Sequence, residues 1–348
     1  MNSNAYSPEL LGLDGAKKYR WLVTGAAGFI GSHLVEALLQ ADQEVVGLDN
    51  FSTGFRHNID DVLRRAESGG KKRFHLREGD IRDRTDCAGS CEGVDFVLHH
   101  AAQGSVPQSI ADPLKAHDSN TTGFVNMLQA AAENGVRRFV YASSSAVYGD
   151  NPSLPAREER TGRPLSPYAA TKIVNEIYAD VWGRLYGLEC IGLRYFNVFG
   201  PRQDPNGPYA AVIPRWIDAL KRNEPVTIYG DGQTTRDFCH VKNVVRSNVL
   251  AALTERQDAV GKVYNIACGT VTTLNELFAI LKGELALPEN LTPLYEDFRK
   301  GDIKHSSASI DQARELLGYA PLVSLREGLK EMIQELPAEG KLSVRTLP

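Results

Sequence analysis

Tyr168 and Lys172 lie four positions apart, directly after Ser166-Pro167, a pair suited to serve as helix N-cap and first helical residue. On a helix that spacing sets phenol and ammonium on one face. Tyrosine ordinarily titrates near 10, so a tyrosine that works as a base near neutrality needs a neighbouring cation to favour phenolate. Lys172 is placed to be that cation. A Tyr-x-x-x-Lys pair alone arises by chance in many helices. Here it follows a serine-rich run, Tyr141-Ala142-Ser143-Ser144-Ser145-Ala146-Val147-Tyr148-Gly149. A hydroxyl from that run can share a proton with a substrate alcohol that Tyr168 deprotonates, although Ser143 also reads simply as a turn cap.

A second constellation lies near the start of the chain. Thr24-Gly25-Ala26-Ala27-Gly28-Phe29-Ile30-Gly31 sets three glycines at fixed offsets between a short apolar run and a helical stretch. Gly25 permits a tight turn, Gly28 lets backbone approach a pyrophosphate, and Gly31 allows close packing of helix on sheet. Asp49 closes the next apolar run, where a carboxylate accepts hydrogen bonds from adenosine ribose hydroxyls. A carboxylate there repels a 2′-phosphate, so NAD is expected rather than NADP. Asp80-Ile81, closing a third run, reads equally as an adenine contact and as a helix N-cap.

These residues need strand ends to carry them. Trp21–Val23, Val45–Asp49, Arg73–Leu76, Phe96–Leu98, Phe139–Ala142 and Cys190–Leu193 are short apolar runs alternating with amphipathic helical stretches. That alternation predicts an α/β fold, a Rossmann-type doubly wound parallel sheet with helices on both faces and ligands at the carboxyl ends of its strands. After about Pro201, Gly and Pro become frequent and the alternation turns irregular, which predicts a smaller mixed α/β substrate-binding region. The expected division is an N-terminal extension over 1–18, a dinucleotide-binding domain over 19–200 and the capping region over 201–348, the chain being free to cross between the last two. The extension is read as a loose leader or a short added helix.

Composition narrows the function classes. The 348 residues are 42% hydrophobic and 24% charged with a formal net charge of −4, ordinary for a globular protein. No basic run suggests a nucleic-acid or anionic-lipid surface; Lys71-Lys72-Arg73 reads as a solvated turn. No stretch is apolar enough to span a bilayer and no signal-peptide pattern opens the chain, so a cytoplasmic protein is expected. Cys87, Cys91, Cys190, Cys239 and Cys268 lack zinc-site spacing and are expected as reduced thiols. His99 and His100, at a strand end, are read as packing residues rather than metal ligands; no metal is expected.

Taken together, Gly-x-x-Gly-x-x-Gly, Ser-Ser-Ser-Ala-Val-Tyr-Gly, Tyr-x-x-x-Lys and Leu193-Arg194-Tyr195-Phe196-Asn197-Val198-Phe199-Gly200-Pro201 resemble the extended short-chain dehydrogenase/reductase family, specifically UDP-hexose 4-epimerases, over about residues 20–321. The resemblance implies Tyr168 as base, Lys172 as the residue that holds the cofactor ribose and tunes Tyr168, and Ser144 as the hydroxyl partner. Asn120 is implied as a structural or cofactor-side residue. It adds Phe29, Ile30, Asn50 and Gln103 to the cofactor contacts. For the sugar nucleotide it implies Ser145, Asn197 and Val212, with Tyr229 near uracil, Arg236 and Arg299 on the diphosphate, and Asp302 on the uridine ribose; converging guanidinium forks suit phosphate oxygens. A homodimer through the helices holding Asn120–Glu133 and Tyr168–Leu185 is likewise implied.

Related dehydratases carry an Asp-Glu pair just after the hydroxyl residue, because elimination of water needs a proton donor and a second base. This chain has Ser145 and Ala146 there, and related decarboxylases typically have Glu where it has Ser or Ala. The expected reaction is therefore a reversible hydride loan at C4 of a UDP-sugar. A non-catalytic dinucleotide-binding subunit is the remaining class, and the intact Tyr168 and Lys172 argue against it. Where strict galactose epimerases have a pocket-limiting tyrosine, this chain has Ser306, which leaves room for a 2-N-acetyl group. The stretches Gly104–Pro107, Arg194 to Gly207 and Asp237–Cys239 resemble bacterial UDP-N-acetylglucosamine 4-epimerases of lipopolysaccharide O-antigen synthesis. Some of their relatives act on the corresponding uronic acid, which stays open as a substrate. Ala146-Val147 and His99-His100 depart from those relatives, which have Ser-Thr and His-Gln.

Overall fold

The computed structural model describes residues 6, 8–13, 17–66, 70–205, 211–298 and 304–335. Its centre is a seven-stranded, all-parallel sheet: β1 (Arg20–Thr24), β2 (Glu44–Asp49), β3 (Phe74–Glu78), β4 (Phe96–His99), β5 (Arg138–Ser144), β6 (Cys190–Tyr195) and β7 (Val263–Ile266). The order is β7-β6-β5-β4-β1-β2-β3. This is the doubly wound arrangement that the alternation predicts, with the order reversing beside β1, where such sheets open a crevice at the strand ends.

The strands are apolar almost throughout because both faces are covered. Successive side chains point to opposite faces, and the two cores divide them accordingly. Trp21 and Val23 join one cluster with Leu34 and Leu38 of α1 (Phe29–Gln40), while Leu22 joins another with Phe124 and Met127 of α2 (Gly123–Glu133) and Trp182 of α3 (Pro167–Tyr186). A third cluster builds the smaller lobe from α4 (Val212–Lys221), α6 (Leu274–Glu284) and α7 (Leu325–Glu335), joining Trp216, Phe278 and Leu329. Between these, α5 (Val241–Leu253) returns to the first face of the sheet through Val245 and Val249. Its successor β7 pairs with β6. The chain beyond residue 200 thus contributes both to the lobe and to the sheet.

The start of the chain is tied down where it is described. Pro8–Leu11 forms a short helix, and Tyr6, Leu11 and Leu13 are buried in the first-face core.

Candidate active site

The glycine loop joins β1 to α1. Gly25 adopts φ +69°, a conformation L side chains rarely take, and a Cβ on it would meet the Ala101 backbone nitrogen at 2.9 Å. At Gly31 a Cβ would stand 1.9 Å from the Gly25 carbonyl oxygen. Gly31 therefore seats the helix against the loop itself. Gly28 is the N-cap of α1 and supplies no side-chain cap. The first-turn N–H groups, those of Phe29 and Ile30 included, are left for an anion, with the helix dipole behind them.

Around that helix end lies a cleft of about 100 Å³, lined by Gly25, Gly28, Asp49, Asn50, Asp80, Ile81, His100 and Gln103 among others. Asp49 ends β2 as expected, and it also organises the loop: its carboxylate accepts from Ala27 N at 2.9 Å and from Phe51 N at 2.7 Å. Burial raises its pKa, against the pull of those two N–H groups. Asp80 accepts from Asn50 at 2.9 Å and from Arg82, whose hydrogen bond is the first cause holding the carboxyl down at about 2. The N-cap of the next helix is Asp83, which accepts from Thr85 N and Asp86 N, so Asp80 is a cleft residue and no cap. Arg82, Ser52 and Thr53 also line the cleft and escaped sequence reasoning, because loop residues at strand ends carry no periodic signal, as did Lys115 on the short helix Pro113–His117. The crevice position, the uncapped helix and the Asp49 carboxylate fit an unphosphorylated dinucleotide.

Next to this cleft the catalytic candidates converge. Ser166 caps α3, its hydroxyl accepting from Ala169 N at 3.1 Å, and Pro167 occupies the first turn. Tyr168 follows, half-buried, its backbone N–H donating to Ser109 Oγ at 3.0 Å. Ser144, the last residue of β5, faces the Tyr168 phenol; burial raises the phenol's pKa and the Ser144 hydroxyl lowers it. Lys172 Nζ lies 5.8 Å from the Tyr168 ring centroid and donates to Ala142 O at 2.7 Å. Burial pulls the ammonium down to about 8, while the Glu176 carboxylate works to raise it. Asn120 spans the site: it accepts from Gln103 N at 2.7 Å and donates to Gln103 O and Thr171 Oγ1, both at 3.1 Å.

Glu176, one turn beyond Lys172, is a supporting residue that sequence reasoning missed. It accepts from Ser143 Oγ at 2.5 Å and pairs with Arg194 at 2.7 Å. Arg194 donates in turn to the Tyr148 hydroxyl at 3.0 Å. The network locks the ends of β5 and β6 to α3. Its one sequence signal is the i+4 spacing from Lys172. His99 packs as expected, stacked on Phe139 and bonded to Thr24 Oγ1 at 3.0 Å. His100 does more than pack: it lines the cofactor cleft and bonds the Tyr195 hydroxyl at 2.8 Å. All five cysteines are free thiols, and Cys87 and Cys91 are pushed up to about 12 by burial. Among the described residues no group of three His, Cys, Asp or Glu side chains is arranged as metal ligands.

A second cleft, of about 290 Å³, opens in the smaller lobe. Asn197, Val212, Tyr229 and Arg236 all line it, joined by Phe199, Arg215, Trp216 and Leu274. Arg215 was missed by sequence reasoning, and its place one turn past Val212 on α4 is the signal that could have found it. Asn197 donates to Asp237 O at 3.0 Å, and Asp237, raised to about 6 by burial, holds the N–H groups of Cys268 and Gly269. Ser145 begins a 3-10 turn beside Ser144, and Ser306 pairs through its N–H with Thr235 O at 3.1 Å, next to Arg236; neither forms part of this cleft's wall. Arg299 and Asp302 lie outside the described residues.

Comparison with known proteins agrees with this geometry. Residues 21–267 match the model of the NAD dependent epimerase/dehydratase family. A UDP-glucose 4-epimerase of Mycolicibacterium smegmatis is 38% identical over 318 residues, 90% of this chain and 97% of the relative. A UDP-N-acetylglucosamine 4-epimerase from Methanobrevibacter ruminantium M1, solved with UDP-N-acetylmuramic acid, superposes with a TM-score of 0.83 at 38% identity over 91% of this chain and 98% of its own. The UDP-glucuronic acid 4-epimerase of Bacillus cereus, solved with UDP-glucuronic acid and NAD, gives 0.80 at 33% identity over 90% and 98%. The match is of the whole fold, and in this chain the glycine loop, Ser144, Tyr168 and Lys172 stand at the strand ends that form the crevice; the chain belongs to the NAD dependent epimerase/dehydratase family.

Proposed function

We propose that this chain is an NAD-dependent UDP-sugar 4-epimerase that interconverts UDP-N-acetylglucosamine and UDP-N-acetylgalactosamine. The observation that carries the reading is the half-buried Tyr168 phenol with the Ser144 hydroxyl acting on it and the Lys172 ammonium beside it. Gly25, Gly28, the first turn of α1 and Asp49 would hold the dinucleotide, with Asn50, Asp80, Ile81 and Gln103 around it. When bound, NAD supplies reversible acceptance of hydride. Tyr168 removes the proton of the C4 hydroxyl, Ser144 shares it, and Lys172 favours the phenolate. Turning the 4-keto sugar between removal and return of hydride inverts C4, after which Tyr168 gives the proton back. The nucleotide half would lie in the 290 Å³ cleft, with Tyr229 on uracil and Arg236, joined by Arg299, on the diphosphate. Asp302 is assigned to the uridine ribose.

Ser145 and Ala146 supply no acid for elimination, which favours epimerisation over loss of water or carbon dioxide. Ser306, a small residue beside the Arg236 strand pairing, favours a 2-N-acetylated sugar. O-antigen polysaccharide is the pathway this substrate suggests. The assembly we propose is a homodimer through α2 and α3: α3 leaves Ile177 and Leu185 57% and 70% exposed, and Ile110 and Leu114 on the adjoining short helices are exposed as well.

The test is proton NMR of the sugar after incubation of the purified protein, without added cofactor, with UDP-GlcNAc, UDP-glucose or UDP-GlcNAcA. A galacto-configured product from UDP-GlcNAc, with much less from the others, is expected. Conversion of UDP-GlcNAcA alone would keep the mechanism and move the substrate to the uronic acid. No turnover of any of the three, with NAD added, would overturn the reading.

A further inference from the structure

The N-terminal segment, the glycine-loop helix and the wall of the nucleotide cleft meet at one buried imidazole. His33, one turn into α1 behind the glycine loop, is 3% exposed. Its Nε2 lies 2.9 Å from the Pro201 carbonyl oxygen. Its Nδ1 lies 3.0 Å from the Tyr6 hydroxyl and 2.7 Å from Arg202 Nη2. Guanidinium only donates and a carbonyl only accepts, so a single state satisfies every partner: neutral imidazole with the proton on Nε2. The one lone pair of Nδ1 then accepts from Arg202 and is shared with the Tyr6 hydroxyl. A second proton on the ring would face Arg202 directly, and burial together with Arg202 accordingly holds the pKa well below its ordinary value.

Arg202 is anchored for a reason that lies beside it in the chain. It adopts φ +64°, unfavourable for an L side chain, and it is buried against Glu36 of α1, with which it forms an ion pair. The turn it belongs to emerges directly from Asn197, Val198 and Phe199, a wall of the nucleotide cleft, and Gln203 reaches back to Val198 O at 3.2 Å. The ring edge of Phe29, first residue of α1, rests on His33 with centroids 5.9 Å apart. One side chain thus touches the helix end that faces the dinucleotide cleft and the turn that fixes the sugar-nucleotide cleft.

We propose that His33, clamped from outside by Tyr6 of the N-terminal segment, is a positioning residue that bolts the Asn197–Phe199 wall to α1 and so sets the affinity of the nucleotide cleft. The inference rests on the reading of that cleft as the UDP site. Its Tyr6 arm gives the N-terminal extension a role in substrate affinity beyond filling core space.

The test measures UDP binding by calorimetry, steady-state kinetics with UDP-GlcNAc and the NAD retained by the purified full-length protein, for wild type and for His33→Leu, His33→Gln and Tyr6→Phe. Loss of hydrogen bonds to buried partners predicts for His33→Leu a Kd for UDP and a KM raised about tenfold, and for Tyr6→Phe about threefold, with kcat within about threefold and bound NAD unchanged. His33→Gln, which keeps a donor and an acceptor, should return to near wild-type affinity. If wild type fails to bind UDP, the reading of the cleft is wrong. If wild type binds and Tyr6→Phe and His33→Leu bind equally well, or kcat falls with KM unmoved, the positioning role is overturned. Tyr6→Phe removes one oxygen and decides the matter even if His33→Leu does not fold.

Discussion

Tyr168 is asked to be a base in a setting that resists it, since burial favours the neutral phenol and the Ser144 hydroxyl opposes that. Lys172 is itself held at about 8 by the same burial, so its charge is available below that pH and withdrawn above it. Because the lysine is the more acidic of the two, phenolate beside ammonium is a minor form of the singly protonated pair, so kcat/KM is expected to rise through about pH 8 and to fall only above the ordinary phenol range, where both protons are lost. Lys172→Met should remove the fall and move the rise to higher pH by more than one unit. Tyr168→Phe should cost roughly 10²–10⁴-fold in kcat while the protein keeps its NAD. A rise left in place by Lys172→Met would remove Lys172 from the tuning role. Residues of this kind were legible because their chemistry rests on local spacing: four positions for Tyr168 and Lys172, three for the glycines. Glu176, Arg194 and His33 were not, because their partners come from other elements, and a lone buried charge or imidazole has no pattern until the fold supplies one.

At the scale of elements, the glycine loop and α1 form a fitted pair whose tolerance is set by one contact. A Cβ at Gly31 would stand 1.9 Å from the Gly25 carbonyl oxygen, which is backbone and cannot swing aside. Gly31→Ala should therefore push α1 off the loop, lower the thermal midpoint by several degrees through an overpacking cost of about 1–3 kcal/mol, and release the dinucleotide on purification. A variant that keeps its melting temperature and its bound NAD would show that the loop has slack the contact denies. The strands around this pair followed from short apolar runs alternating with helical stretches, and each was found within two residues of its expected end. β7 was missed: Val263–Ile266 is four residues long in a region of irregular alternation, and only pairing with β6 makes it part of the sheet. The cap at Asp83 was missed for a related reason, since Asp80 and Asp83 both precede the helix and only the backbone decides which carboxylate meets its N–H groups.

For the whole molecule, a modest formal charge of −4 neither drives association nor forbids it, so the surface must decide. No helix among the described residues is long and apolar enough to cross a membrane. Single exposed leucines need no explanation, but Ile177 and Leu185 on α3 are joined by Ile110 and Leu114 on helices that pack against it. A stable dimer buries about 1,200–2,000 Å² in all, with an apolar centre free of unpaired charge. A carboxylate at that centre would have to be desolvated in both copies. Leu114→Glu and Ile177→Glu, being exposed in the single chain, should leave the fold and its melting temperature nearly unchanged in a monomer. In a dimer through this face they should dissociate it. Light scattering after size exclusion is expected to give twice the 38.2 kDa chain mass for wild type and the chain mass for the double variant. A wild-type monomer, or a double variant that stays dimeric, would place the contact elsewhere or remove it. Because His33, Tyr168 and both clefts are built from a single chain, the monomeric variant should also retain the bound cofactor.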